Sequence, residues 1–121
     1  VQDPTSAHVQ QDRSFVLEKL GDVHLELENE AKALAHFEVS MKIRESLAQE
    51  NRTSALAQRN WSVSLKKHGQ MLMVMGDLDR ARGQFEAAVR IDRKLAEVNP
   101  TSWVAQRDLS VSLEKLGDTM A

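Results

Sequence analysis

Residues 99–117 read NPTSWVAQRDLSVSLEKLG, and residues 51–69 read NRTSALAQRNWSVSLKKHG. The two stretches agree at twelve of nineteen positions, where unrelated segments of ordinary composition agree at roughly one. Their offset is 48 residues, and it serves the whole chain. Gly21, Gly69 and Gly117 fall on it, as do Ala33 with Ala81, Phe37 with Phe85, Ile43 with Ile91, Leu47 with Leu95 and Ala48 with Ala96. Even Asp3-Pro4-Thr5-Ser6 stands two periods before Asn99-Pro100-Thr101-Ser102. A duplication of this kind predicts one repeat over about 5–50, a second over 53–98 and the first helix of a third over 101–121. It also predicts that the array continues on both sides in a larger protein.

Each unit reads as two helices. Leu78, Ala81, Phe85, Ala88, Val89, Ile91 and Leu95 follow the three-and-four spacing that lays one apolar stripe along a helix. Ala57, Trp61, Leu65, Leu72 and Met75 form a similar stripe in the segment before it. Gly76-Asp77 divides the two, because Gly supplies a left-handed helix end and Asp caps the helix that follows. Glu28-Asn29 occupies the same place one period earlier and serves less well. Asn99-Pro100-Thr101-Ser102 ends a second helix and starts another, since the residue before Pro resists the helical region and Ser or Thr caps well. The expected helices span 5–27, 29–50, 53–75, 77–98 and 101 onward. The fold class is all-α, made of antiparallel helix pairs.

Composition removes several classes of function. Sixteen basic against eighteen acidic residues leave a formal charge of −2, which disfavours a general binder of nucleic-acid backbone. There is no Cys, so disulfides, thiolate metal sites and thiol nucleophiles are excluded, and a cytoplasmic location is permitted. No apolar run approaches the roughly 18 residues that span a bilayer, and Val1-Gln2-Asp3-Pro4 is not a secretory signal. Neither nucleic acid nor membrane is expected as a partner.

The chemistry-bearing residues form no catalytic or metal motif. His24 and His36 lack further ligands at helical spacing, and His8 and His68 lie elsewhere in their units. Ser, His and Asp are present without a nucleophile elbow or a Gly-rich phosphate loop. Glu26, Glu28 and Glu30 cluster where the second helix begins and favour the positive end of its dipole. Trp61 and Trp103 fall on apolar stripes and read as packing residues, with ligand stacking as the alternative. The expectation is therefore no enzyme, no cofactor and no metal.

Leu17-x2-Leu20-Gly21-x2-His24-x8-Ala33-x3-Phe37 resembles the tetratricopeptide repeat, whose pattern runs W-x2-L-G-x2-Y and then A-x3-F. Leu65-x2-His68-Gly69-x2-Leu72-x8-Ala81-x3-Phe85-x2-Ala88 fits the same register, and Leu113-x2-Leu116-Gly117 carries its first half. The unit of 48 exceeds the family's 34 by 14 residues, and residues 106–118 look like a long-unit subgroup known from bacteria. The resemblance implies helix pairs stacked in a right-handed superhelix. Gly21 and Gly69 would let Ala33 and Ala81 of the next helix approach closely, and Phe37 and Phe85 would wedge between a second helix and the following first helix.

The resemblance also implies a concave groove that receives a peptide or partner protein. Its inward positions map onto Phe15, Glu18, Asp22 and Leu25, then Val63, Lys66, Gln70 and Met73, then Val111, Glu114 and Asp118, with Arg59 and Arg107 one turn earlier on the same face. Phe15, Val63 and Val111 would form an apolar row beside the alternating charges Glu18, Lys66 and Glu114. Those charges would offset one another in solvent, or Arg59 and Arg107 would anchor an acidic segment. Glu18 and Asp22 stand where the family's chaperone-tail clamp has Lys and Asn, which argues against a bound terminal carboxylate. The leading expectation is a protein-interaction scaffold. The alternative is a structural spacer or a self-association module, with Leu109, Leu113, Leu116 and Met120 leaving the last helix open to contact.

Overall fold

A computed structural model of the chain describes residues 6–120, so the expected junction at Asp3-Pro4-Thr5 and the final Ala121 lie outside the described residues. Five helices follow one another: α1 (Ala7–Glu26), α2 (Glu30–Glu50), α3 (Ala55–Val74), α4 (Leu78–Val98) and α5 (Trp103–Asp118). There is no strand among the described residues. Each helix packs chiefly on its neighbours in the chain. No helix of the described residues is long and apolar enough to cross a membrane.

Short polar residues set the helix starts. Ser6, Ser54 and Ser102, spaced by the 48-residue period, each accept a bond from the backbone N–H three residues on, at Val9, Ala57 and Ala105. Asn29 and Asp77 cap α2 and α4 in the same way through Lys32 and Arg80. Such caps satisfy one of the orphan donors at a helix start.

The link inside each pair is a Schellman turn. The Glu28 N–H donates to Leu25 O and the Asn29 N–H to His24 O, while the Gly76 N–H donates to Met73 O and the Asp77 N–H to Leu72 O. Gly76 sits at φ 83°, which glycine adopts freely, but Glu28 is held at φ 60° with a side chain attached. The expected stop at Glu28-Asn29 therefore forms despite the wrong residue for it.

The glycines act as sockets. A Cβ on Gly21 would lie 2.5 Å from Cε1 of Phe37, and one on Gly69 would lie 2.8 Å from the same atom of Phe85. Their closest side-chain neighbours are thus the rings one turn beyond Ala33 and Ala81, because long helical side chains lean back toward the N-terminus of their own helix. Phe37 also clusters with Ala33 and with Met71 of α3, whereas Phe85 clusters with Leu72 and Ala81, and Leu116 of α5 packs against that cluster. A third cluster joins Met41, Leu65 and Ala88, with Trp61, Ala87 and Ile91 packed on it. Apolar contact therefore runs without a break from α2 through α3 to α4.

Candidate functional site

The charged row expected to line a groove is largely folded into the protein. Glu18 is 7% exposed and receives both Arg44 Nη1 and Nη2 at 3.3 Å from α2. The Nε of Arg44 donates to Ser14 Oγ, and Ser40 Oγ donates to Ser14 O. Lys66 is 9% exposed, and its Nζ lies 3.1 Å from Asp92 Oδ2 of α4. Glu18 and Lys66 are therefore interhelical ion-pair residues inside their own helix pairs. They do not offset each other in solvent, because their partners on α2 and α4 are closer and drier than any neighbouring first helix.

A second layer of contacts ties consecutive first helices together. Lys67 Nζ of α3 donates to both oxygens of Asp22 on α1, at 2.8 and 3.1 Å. One period later, Lys115 Nζ of α5 donates to Gln70 Oε1 of α3 at 3.1 Å. Arg59 donates through Nε to Asp108 Oδ2 at 2.7 Å, and that bond raises its already high pKa. The expected acid-binding anchor at Arg59 thus has an internal carboxylate. Arg107 remains half exposed, 3.8 Å from Asp108 and with its guanidinium 4.9 Å from the centre of the Trp103 ring. Met73 packs against the Leu72, Ala81 and Phe85 cluster, and Val63 is half-buried. Phe15, Leu25, Gln70, Arg107, Val111, Glu114 and Asp118 are the expected groove residues that remain open to solvent.

A concavity lies elsewhere. Residues from the C-terminal halves of α2 and α4 and from the first half of α3 line a groove of about 830 Å³. Its apolar lining comes from Trp61 and Leu65 of α3 and from Ala87, Ile91, Leu95 and Val98 of α4. Gln58 of α3 holds the entrance by donating to Ala48 O at the end of α2. Arg52, Arg90 and Lys94 line the rim and make no ion pair among the described residues, while Glu45 is the single acidic residue there. Three cations and one anion leave this groove positive in a chain whose formal charge is −2.

Sequence reasoning placed these apolar residues on buried stripes and missed the groove. Trp61, Ile91 and Leu95 do form such stripes, but each is only partly covered. A signal was present in Arg52, Arg90 and Lys94, three cations at one end of a pair of helices.

The histidines stand apart from it. His24 and His36 stack at 5.2 Å between ring centres, and no group of three or more metal-ligating residues occurs among the described residues. His68 is 1% exposed, and burial lowers its pKa; Glu38 opposes that shift, while Arg80 and Lys42 add to it. Its Nδ1 meets Gln84 Nε2 at 2.6 Å. Comparison with models of known protein families, with curated proteins and with solved structures returned no match.

Proposed function

We propose that the chain is a tetratricopeptide-like array of helix pairs that serves as a protein-interaction scaffold, and that the groove between α2 and α4 takes an acidic, amphipathic segment of a partner protein. The supporting observation is the groove itself: an apolar floor of Trp61, Leu65, Ile91 and Leu95 under the unpaired cations Arg52, Arg90 and Lys94. Apolar floor and basic rim together select a segment with large side chains on one side and carboxylates beside them. The array reading draws support from features that recur at the 48-residue period, namely the serine caps, the Schellman links and the glycine sockets. A superhelical arrangement of the pairs belongs to this proposal.

The concave face expected from the resemblance is the weaker surface under this reading. Its apolar row survives in Phe15, Val63 and Val111, but Glu18, Lys66, Asp22 and Arg59 are engaged internally.

Selection of peptides from a random library on the immobilised protein tests the proposal. The enriched sequences should pair Leu, Phe or Trp with Asp or Glu at helical spacing. Binding should weaken with salt, because the rim charges are solvent-exposed, and should disappear in an Ile91→Glu variant that retains its helicity. Enrichment of basic peptides, or binding untouched by Ile91→Glu, would refute it.

A further inference from the structure

The cations of α4 that line the groove are free although a carboxylate stands one turn away on their own helix. Lys42 of α2 lies 3.1 Å from Glu38, one turn before it. Arg90 and Glu86 hold the matching positions on α4, one period later. Arg90 nevertheless makes no ion pair among the described residues and lines the groove instead. Lys94 follows Arg90 after one turn and lines the same groove, where α2 has Ser46 at the matching position. Two like charges at that spacing repel each other along a helix, so α4 holds two uncompensated cations where α2 holds an internal pair.

The two sides of the groove carry different charge orders. From α4 come Arg90 and Lys94, both positive and four residues apart. From α2 comes Glu45, and just past the end of that helix Arg52, seven residues or about two turns further along the chain. Glu45 and Arg52 also make no ion pair among the described residues. The α4 side is thus positive at both places, whereas the α2 side changes from negative to positive. Trp61, Leu65, Ile91 and Leu95 supply the apolar floor between them.

We infer that the groove, on the reading that it takes an acidic amphipathic helix of a partner protein, admits that helix in one direction only. The occupant carries two carboxylates one turn apart on the flank that meets Arg90 and Lys94. Its other flank carries a Lys or Arg against Glu45 and a carboxylate against Arg52. Turning such a helix end for end over the same apolar floor exchanges its flanks as well as its ends. Its cation then comes against the α4 side and a carboxylate comes against Glu45. Like charges would meet as the apolar faces close, and that arrangement is rejected. A helix acidic on both flanks binds less tightly for the same reason, since one of its carboxylates faces Glu45.

Two synthetic helical peptides of identical composition are a direct probe. Both carry a Leu face at three-and-four spacing and, on one flank, two Glu residues one turn apart. On the other flank one peptide has Lys followed by Glu two turns later, and its companion has Glu followed by Lys. Calorimetric titration into the full chain should show one order binding about tenfold or more tightly than the other. The double variant Glu45→Arg with Arg52→Glu, which leaves the net charge of the protein unchanged, should reverse that preference. Glu45→Gln alone, which introduces no new charge, should shrink it several-fold and keeps the test sound if the double variant loses helicity. Equal affinity for the two orders, or a preference that neither variant alters, would overturn the inference and leave the groove as the site. Binding of neither peptide would overturn both readings.

Discussion

The α1–α2 and α3–α4 pairs share their caps, their Schellman links and their glycine–phenylalanine contacts, but the buried ion pair between their helices is reversed. Glu18 meets Arg44 in the first pair, and Lys66 meets Asp92 in the second. Size and backbone geometry at these positions are tightly constrained, since a Cβ at either glycine would collide with a ring. The sign of the charge follows its partner, and at Glu18 also Lys67 of α3, whose Nζ lies 3.9 Å from Oε1. The reversal has a further consequence: Arg44 is long enough to reach Ser14 as well as Glu18, whereas Ser62 Oγ and Asp92 Oδ1, at the matching positions, make no hydrogen bond to the protein. The second pair is therefore less completely satisfied than the first.

The aromatic wedge should carry the largest effect. Phe85 is fully buried, lies against Gly69 of α3 and belongs to the cluster on which Leu116 of α5 packs, so Phe85→Ala is expected to cost about 3–5 kcal/mol. Denaturant unfolding checks this, and Phe37→Ala in the first pair should fall in the same range. A much smaller loss at Phe85 would break the equivalence of the two pairs.

Ion-pair deletion comes next. Lys66→Ala leaves the fully buried side chain of Asp92 without a counter-charge and should cost about 3–5 kcal/mol. The exchange Glu18→Lys with Arg44→Asp, which gives the first pair the charges of the second, should recover part of the loss caused by Glu18→Lys alone, the remainder reflecting Lys67, which lies 3.9 Å from Glu18. A double-mutant cycle measures the coupling. Additive losses would mean that the two pairs do not read charge.

The link residues differ in the opposite direction. Glu28 occupies the left-handed position that Gly76 holds in the second pair, and Glu28→Gly should raise stability by about 0.5–1 kcal/mol in thermal unfolding. Gly76→Ala should lower it by about 1 kcal/mol or more.

The smallest expected effect near neutral pH belongs to His68, which has Leu at the matching positions 20 and 116. Burial lowers its pKa below the ordinary 6.5, so the unfolded chain binds more protons in that window. Its contribution is intact above the ordinary value and is lost as pH falls below it through the folded value. His68→Leu should therefore flatten the acid side of the stability profile relative to the parent chain, as urea midpoints measured from pH 7 to 5 would reveal.

Much of the architecture was legible because it is local chemistry. Gly76-Asp77 and Asn99-Pro100-Thr101-Ser102 announce helix ends within a few residues, and the repeat supplied the fainter Glu28-Asn29. The charged row was harder to read. Glu18, Lys66 and Glu114 show alternating sign by themselves, but their partners Arg44 and Asp92 lie 26 residues away on another helix. Only the matching reversal at those two positions, also one period apart, pointed to pairs inside each unit. The groove was hidden for a similar reason. Ile91 and Leu95 sit on the stripe that periodicity marks as buried, and how far α2 stands from α4 depends on how both cross α3.

Mapping of backbone and indole N–H resonances during titration with an acidic amphipathic helical peptide tests the central claim most directly. The proposed site predicts shifts at the Trp61 indole and at Leu65, Arg90, Ile91, Leu95 and Val98, all lost when Arg90 and Lys94 are both replaced by Glu. Shifts confined to the face of Phe15, Val63 and Val111, with Trp61 unmoved, would contradict it.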